Sequence, residues 1–141
     1  MSQDLPHLIW VDCEMTGLDL NKDALVEIAV LVTDAQLNVL GEGVDLVIKC
    51  EQSKLDGMDE VVKDMHTKSG LINEIPNGTT LAAADDAIIT YLKKYAPTEG
   101  KSPLAGNSVY VDRGFIARDL PKLNALKPTL PPQPKMATTG P

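Results

Sequence analysis

Two carboxylates two residues apart, Asp12 and Glu14, close the apolar run Leu8-Ile9-Trp10-Val11. In an extended chain the side chains at i and i+2 leave from one face, so both acids would share a single patch of surface. Like charges held that close raise one another's pKa unless cations neutralise them, and hard divalent ions such as Mg²⁺ prefer oxygen ligands of this kind. The spacing therefore permits a metal site. An isolated Asp-x-Glu is more often a pair of solvated acids at a strand end, and the pattern alone is too short to decide. A third acid, Asp112, follows Ala105-Gly106-Asn107-Ser108 at what reads as a helix start. A carboxylate there can cap the helix, a role compatible with also being a ligand.

The elements that must hold these acids are legible in outline. Leu8 to Asp12 is apolar on both alternating faces, as in a strand buried on two sides, and the acids come at its end. After a turn at Thr16-Gly17-Leu18, Leu25 to Thr33 and Val39 to Lys49 read as second and third strands, joined at Asp34-Ala35-Gln36 to make a β-meander. Asp59 to Lys68 forms a short helix closed by Gly70. Thr79 or Thr80 caps a longer one whose apolar face is Leu81, Ala84, Ile88, Tyr91, Leu92 and Tyr95, with Pro97 as its stop. A short strand at Pro103 to Ser108 and a helix from Asp112 to Leu120, ended by Pro121, complete an α/β or α+β sheet domain. Cys13 alternates away from the acids and is expected in the core.

The chain has 141 residues, room for one domain, and a net charge of −7. Proteins that grip long nucleic acid usually carry a basic stripe, so a nucleic-acid substrate here would be short or held through metals. Cys13 and Cys50 are too far apart and too few for a disulfide framework or a Cys-rich zinc site. No run is long enough to span a membrane and the N-terminus lacks a targeting pattern, which makes a cytoplasmic location the expectation.

The full string Asp12-Cys13-Glu14-Met15-Thr16-Gly17-Leu18, with Ala105-Gly106-Asn107-Ser108 ahead of Asp112, resembles the oligoribonuclease branch of the DEDD exonucleases. The likeness runs on through Leu55-Asp56-Gly57-Met58-Asp59-Glu60 and His66-Thr67-Lys68-Ser69-Gly70-Leu71 as far as Leu126. It implies an RNase H-like fold, a mixed sheet flanked by helices, over residues 1–126. It also implies 3′→5′ hydrolysis of short RNA to mononucleotides. In that family Asp12, Glu14 and Asp112 would be three of four acids holding two Mg²⁺ or Mn²⁺ ions. Leu18 would wedge against terminal bases, Ser108 and His66 would hold the sugar-phosphate end, and the protein would be a homodimer. Bland alternatives are a core leucine at position 18 and a surface or half-buried histidine at 66.

Two departures stand out. Val61 occupies a position where the family commonly has an aromatic, which predicts weaker base stacking. From Lys127 the likeness ends. Residues 127–141 contain five prolines without periodicity and are expected to be disordered. The family's C-terminal helices, its histidine base and its fourth acid have no counterpart, since the only histidines are His7 and His66 and no acid follows Asp119. Exposed apolar surface on the sheet and severely reduced cleavage by this chain are the expectations, with a non-cleaving metal- or partner-binding form as the alternative. A DNA exonuclease of the same superfamily is a third reading, disfavoured by Met15-Thr16-Gly17-Leu18.

Overall fold

A computed structural model describes residues 5–96, 102–106 and 109–126. Ser108, the Pro97 stop and the 127–141 tail lie outside the described residues. The expected meander is present as β1 (Leu8–Met15), β2 (Leu25–Thr33) and β3 (Val39–Val47). A two-residue strand, β4 (Leu104–Ala105), lies parallel to β1, giving a mixed sheet in the order β3-β2-β1-β4. β1 runs three residues beyond Asp12, so both acids sit inside the strand, Asp12 opposite Ala29 and Glu14 opposite Glu27. The paired β2 strand, rich in branched residues, supplies the partners that keep this acidic stretch extended.

The helices are α1 (Gln52–Asp56), α2 (Glu60–Ser69), α3 (Leu71–Glu74), α4 (Leu81–Tyr95), α5 (Val109–Asp119) and α6 (Pro121–Ala125). The predicted caps hold: Thr80 accepts from Ala83 N–H at the start of α4, and Gly70, with φ of 83°, closes α2. Two expectations are corrected. α5 begins at Val109, which puts Asp112 in its first turn and not at its cap. Pro121 opens α6 where it was expected only to end a helix, because a proline at the first helical position needs no N–H partner. Buried Asp85 of α4 receives the free Lys122 and Leu123 N–H groups at 2.8 and 3.0 Å, satisfying the N-terminus of α6.

Ile9, Val11, Cys13 and Met15 pack with Ile28, Val30 and Val32 beneath α4, α5 and α6 in the main core. Opposite Glu14 and Met15 the register slips, with Leu25 joining that core and Val26 a smaller cluster with Leu55, Met58, Leu71 and Ile75. A second irregularity at Gly41 to Gly43 of β3 is stitched by Tyr91, whose hydroxyl accepts from Val32 N–H at 2.9 Å and donates to Leu40 O at 2.6 Å. On the acid-bearing face, among the described residues, Trp10, Asp12, Leu31, Glu42, Gly43 and Asp45 help line a concavity of about 690 Å³. No helix among the described residues is long and apolar enough to cross a membrane.

Candidate active site

Asp12 and Glu14 project from the same face of β1, as their spacing demands; Asp12 is exposed and Glu14 partly so. Asp112 reaches the same strand from its edge. β4 pairs with β1 only as far as Trp10 and Ala105, and further along the strand the Asp112 carboxyl takes hydrogen bonds from the Cys13 backbone and thiol. Cys13 is thus in the core as expected, but it also positions the third acid, a role its alternation with Asp12 and Glu14 did not disclose.

Asp112 is 2% exposed, and its Oδ2 has no hydrogen-bond partner among the described residues. Burial first, and then the charges of Asp12 and Glu14, push its pKa from 3.8 up to about 6. Glu14 is also raised, by desolvation and by Asp12, with the neighbouring His66 pulling it down. Burial followed by Asp112 drives the Cys13 thiol far upward, so it stays protonated and able to donate. The charges of Asp12 and Glu14 are thus felt at Asp112, which brings three carboxylates into one electrostatic neighbourhood. An all-oxygen donor set with one buried oxygen left over fits a hard divalent ion. The set is not closed as it stands: among the described residues no three Asp, Glu, His or Cys groups are already placed to hold one ion.

Glu27, facing Glu14 across the strands, extends the acidic surface. Its pKa rises from 4.5 to about 7 through burial and a shared hydrogen bond with Asp45. A raised carboxyl pKa means that the folded state binds the proton more tightly than the unfolded chain, so its stabilising effect is present below 4.5 and lost as pH rises through about 7. Glu27→Gln retains a donor toward Asp45 and removes this loss. Its metal-free melting temperature is expected to exceed that of wild type by on the order of 2 °C at pH 8 and to match it at pH 4.5, measured by circular dichroism. A gap of equal size at both pH values would exclude the assignment.

The remaining candidates separate clearly. Leu18 is 73% exposed at a loop tip, which excludes a core role. Val61 is exposed at the start of α2. His66 is 1% exposed, and its Nε2 bonds Met15 O at 2.8 Å, tying α2 to the end of β1. That is deeper than the surface or half-buried alternative.

Residues 9–131 match the RNase T family, described as exonucleases. The chain belongs to the RNase T exonuclease family. This family member is 55% identical over 118 residues to an oligoribonuclease of Cutibacterium acnes, covering 84% of this chain and 58% of the relative. It is likewise 55% identical over 117 residues to an oligoribonuclease of Streptomyces griseus, covering 83% and 58%. The chain therefore spans somewhat more than half the length of these relatives. Among solved structures, Escherichia coli exonuclease I in complex with an oligonucleotide superimposes with a TM-score of 0.65 at 19% identity, over 89% of this chain and 27% of that one. That likeness concerns the fold alone and agrees with the expected mixed sheet flanked by helices.

Proposed function

We propose that this RNase T family chain carries an oligoribonuclease-type site for 3′→5′ cleavage of short RNA, in which Asp12, Glu14 and Asp112 hold Mg²⁺ or Mn²⁺. The unpartnered, buried Asp112 Oδ2 beside two further carboxylates is the observation that supports it most directly. Divalent ions bound there would supply Lewis-acid activation of water and stabilise the leaving 3′-oxygen. The protein's own part is positional. Strand pairing holds Asp12 and Glu14 on one face, Cys13 N–H orients Asp112, and exposed Leu18 offers an apolar edge to the terminal bases. Ser108 is assigned to the sugar-phosphate end, His66, buried with its Nε2 on Met15 O, to holding α2 against β1 beside that end, and a homodimer is the proposed assembly.

A second reading, in which the 141-residue chain binds without cleaving, is favoured by the histidines. His7 precedes β1, five residues of extended chain before Asp12, with its Nδ1 on Tyr95 O at 2.7 Å, and His66 is 1% exposed with its Nε2 on Met15 O, so the first stands away from the acids and the second is buried against the strand. Calorimetric titration with Mn²⁺, beside cleavage assays on 5′-phosphorylated RNA and DNA dinucleotides, separates these possibilities. Metal and RNA binding without turnover gives the second reading, RNA turnover gives the first, and absence of Mn²⁺ binding rejects both. Preference for the DNA dinucleotide would reject the substrate assignment.

A further inference from the structure

An apolar side chain as exposed as Leu18 is ordinarily mobile, yet the loop that carries it is closed by hydrogen bonds at nearly every turn. Asp23 is the centre of that closure. It is 8% exposed; its Oδ1 accepts from the Thr16 hydroxyl at 2.9 Å and its Oδ2 from Asp19 N–H at 3.0 Å, on either side of Leu18. Thr16 Oγ1 in turn accepts from Ala24 N–H at 2.9 Å, while Thr16 N–H reaches Ala24 O at 2.9 Å. The carboxylate lies against the Gly17 backbone so closely that a Cβ there would fall 2.3 Å from Oδ2, which explains the glycine in the Thr-Gly-Leu string.

The same loop is fastened to the helix that carries Asp112. Leu20 packs over Gly114, where a Cβ would meet its Cδ1 at 3.1 Å, and Arg118 donates to Leu20 O at 2.6 Å. Leu18 is thus held in a fixed relation to both structural supports of the acids, β1 through Thr16 and α5 through Leu20.

We propose that Asp23 is a positioning residue that pre-organises the Thr16–Asp19 loop and so presents Leu18 to the end of a short RNA. This rests on the assignment of Leu18 as a base contact. Pre-organisation matters because an apolar contact made by a loop that must first be ordered loses that ordering entropy from its affinity. Asp23 touches neither the acids nor the bases; it acts through Leu18.

The test uses the whole chain, with amide hydrogen exchange and affinity for 5′-phosphorylated diadenylate in Ca²⁺ as paired readouts. In Asp23→Ala, exchange of residues 17–20 is expected to accelerate at least about tenfold and RNA affinity to fall about tenfold, the scale of losing hydrogen bonds to a charged group. Mn²⁺ affinity and exchange within α4 stay at wild-type values. Asp23→Asn, which keeps acceptor and size, restores most of the affinity, and Thr16→Val reproduces the loop loosening if Asp23→Ala folds poorly. Leu18→Ala lowers RNA affinity without altering exchange. Unchanged loop exchange in Asp23→Ala and Thr16→Val, or acceleration spread equally into α4, would overturn the proposal. Loss of RNA affinity in Leu18→Ala but not in Asp23→Ala would overturn it as well. If Leu18→Ala binds RNA as wild type does, the Leu18 assignment fails and takes the proposed role in RNA presentation with it.

Discussion

Asp112→Asn is expected to weaken Mn²⁺ binding by at least about 10²-fold while making the metal-free protein more stable above pH 6. The two effects share one cause. Asp112 is buried beside Asp12 and Glu14 and has one oxygen unpaired among the described residues, so its ionised form is disfavoured, and a cation bound there would relieve that. Its pKa is raised in the folded state, hence its contribution favours folding below 3.8 and is lost as pH climbs through about 6. The span corresponds to about 3 kcal/mol against the charged form at neutral pH, as an upper limit. Asparagine keeps an oxygen for the Cys13 N–H and carries no charge. Thermal melts at pH 5 and pH 8, with and without Mn²⁺, supply the check. Mn²⁺ should raise the wild-type melting temperature at pH 8 and leave that of Asp112→Asn almost unmoved. A variant that is less stable than wild type at pH 8 without metal, or that still binds Mn²⁺ with wild-type affinity, would remove Asp112 from the site.

Gly106→Ala should cost on the order of 3 kcal/mol or more, lowering the melting temperature by roughly 6–12 °C. Gly106 has φ of 133°, a conformation side-chain-bearing residues rarely adopt, and a Cβ there would stand 2.5 Å from Val11 O. Val11 precedes Asp12 and Gly106 follows β4, so relief of the clash has to spread these neighbouring segments apart at the rim of the acid-lined concavity. Gly70→Ala is the control that separates backbone conformation from collision. Its φ is 83°, but nothing lies within 4 Å of the added carbon, so only the conformational cost of about 1 kcal/mol is expected. Equal losses in the two variants would show that Val11 O can move aside, and the close approach of Gly106 to β1 would then carry no weight.

Much of the scaffold could be read from residue order because its determinants are local. Alternation fixes which side chains share a face, so Asp12 and Glu14 were bound to emerge together wherever the strand ended. Thr80 and Gly70 act on hydrogen bonds within a turn or two, and the helices they delimit follow. The strand end and the start of α5 were less legible. Acidic residues have little preference for a strand, and it is pairing with Ala29 and Glu27 that keeps Asp12 and Glu14 in one.

The sequence by itself determined the family, the pair of acids on one face, and the glycine-bounded turns around them. Only the tertiary structure decided how those pieces act on one another. It brings Asp112 to the Cys13 edge of β1, ties His66 to the Met15 carbonyl, sets Glu27 against Asp45, and closes the Leu18 loop on Asp23. The physical reason is range. Periodicity and capping are set by neighbours along the chain, whereas desolvation, charge repulsion and hydrogen-bond closure depend on which distant groups packing brings together. The fold was legible from short-range pattern; the chemistry of its acids had to await their neighbours.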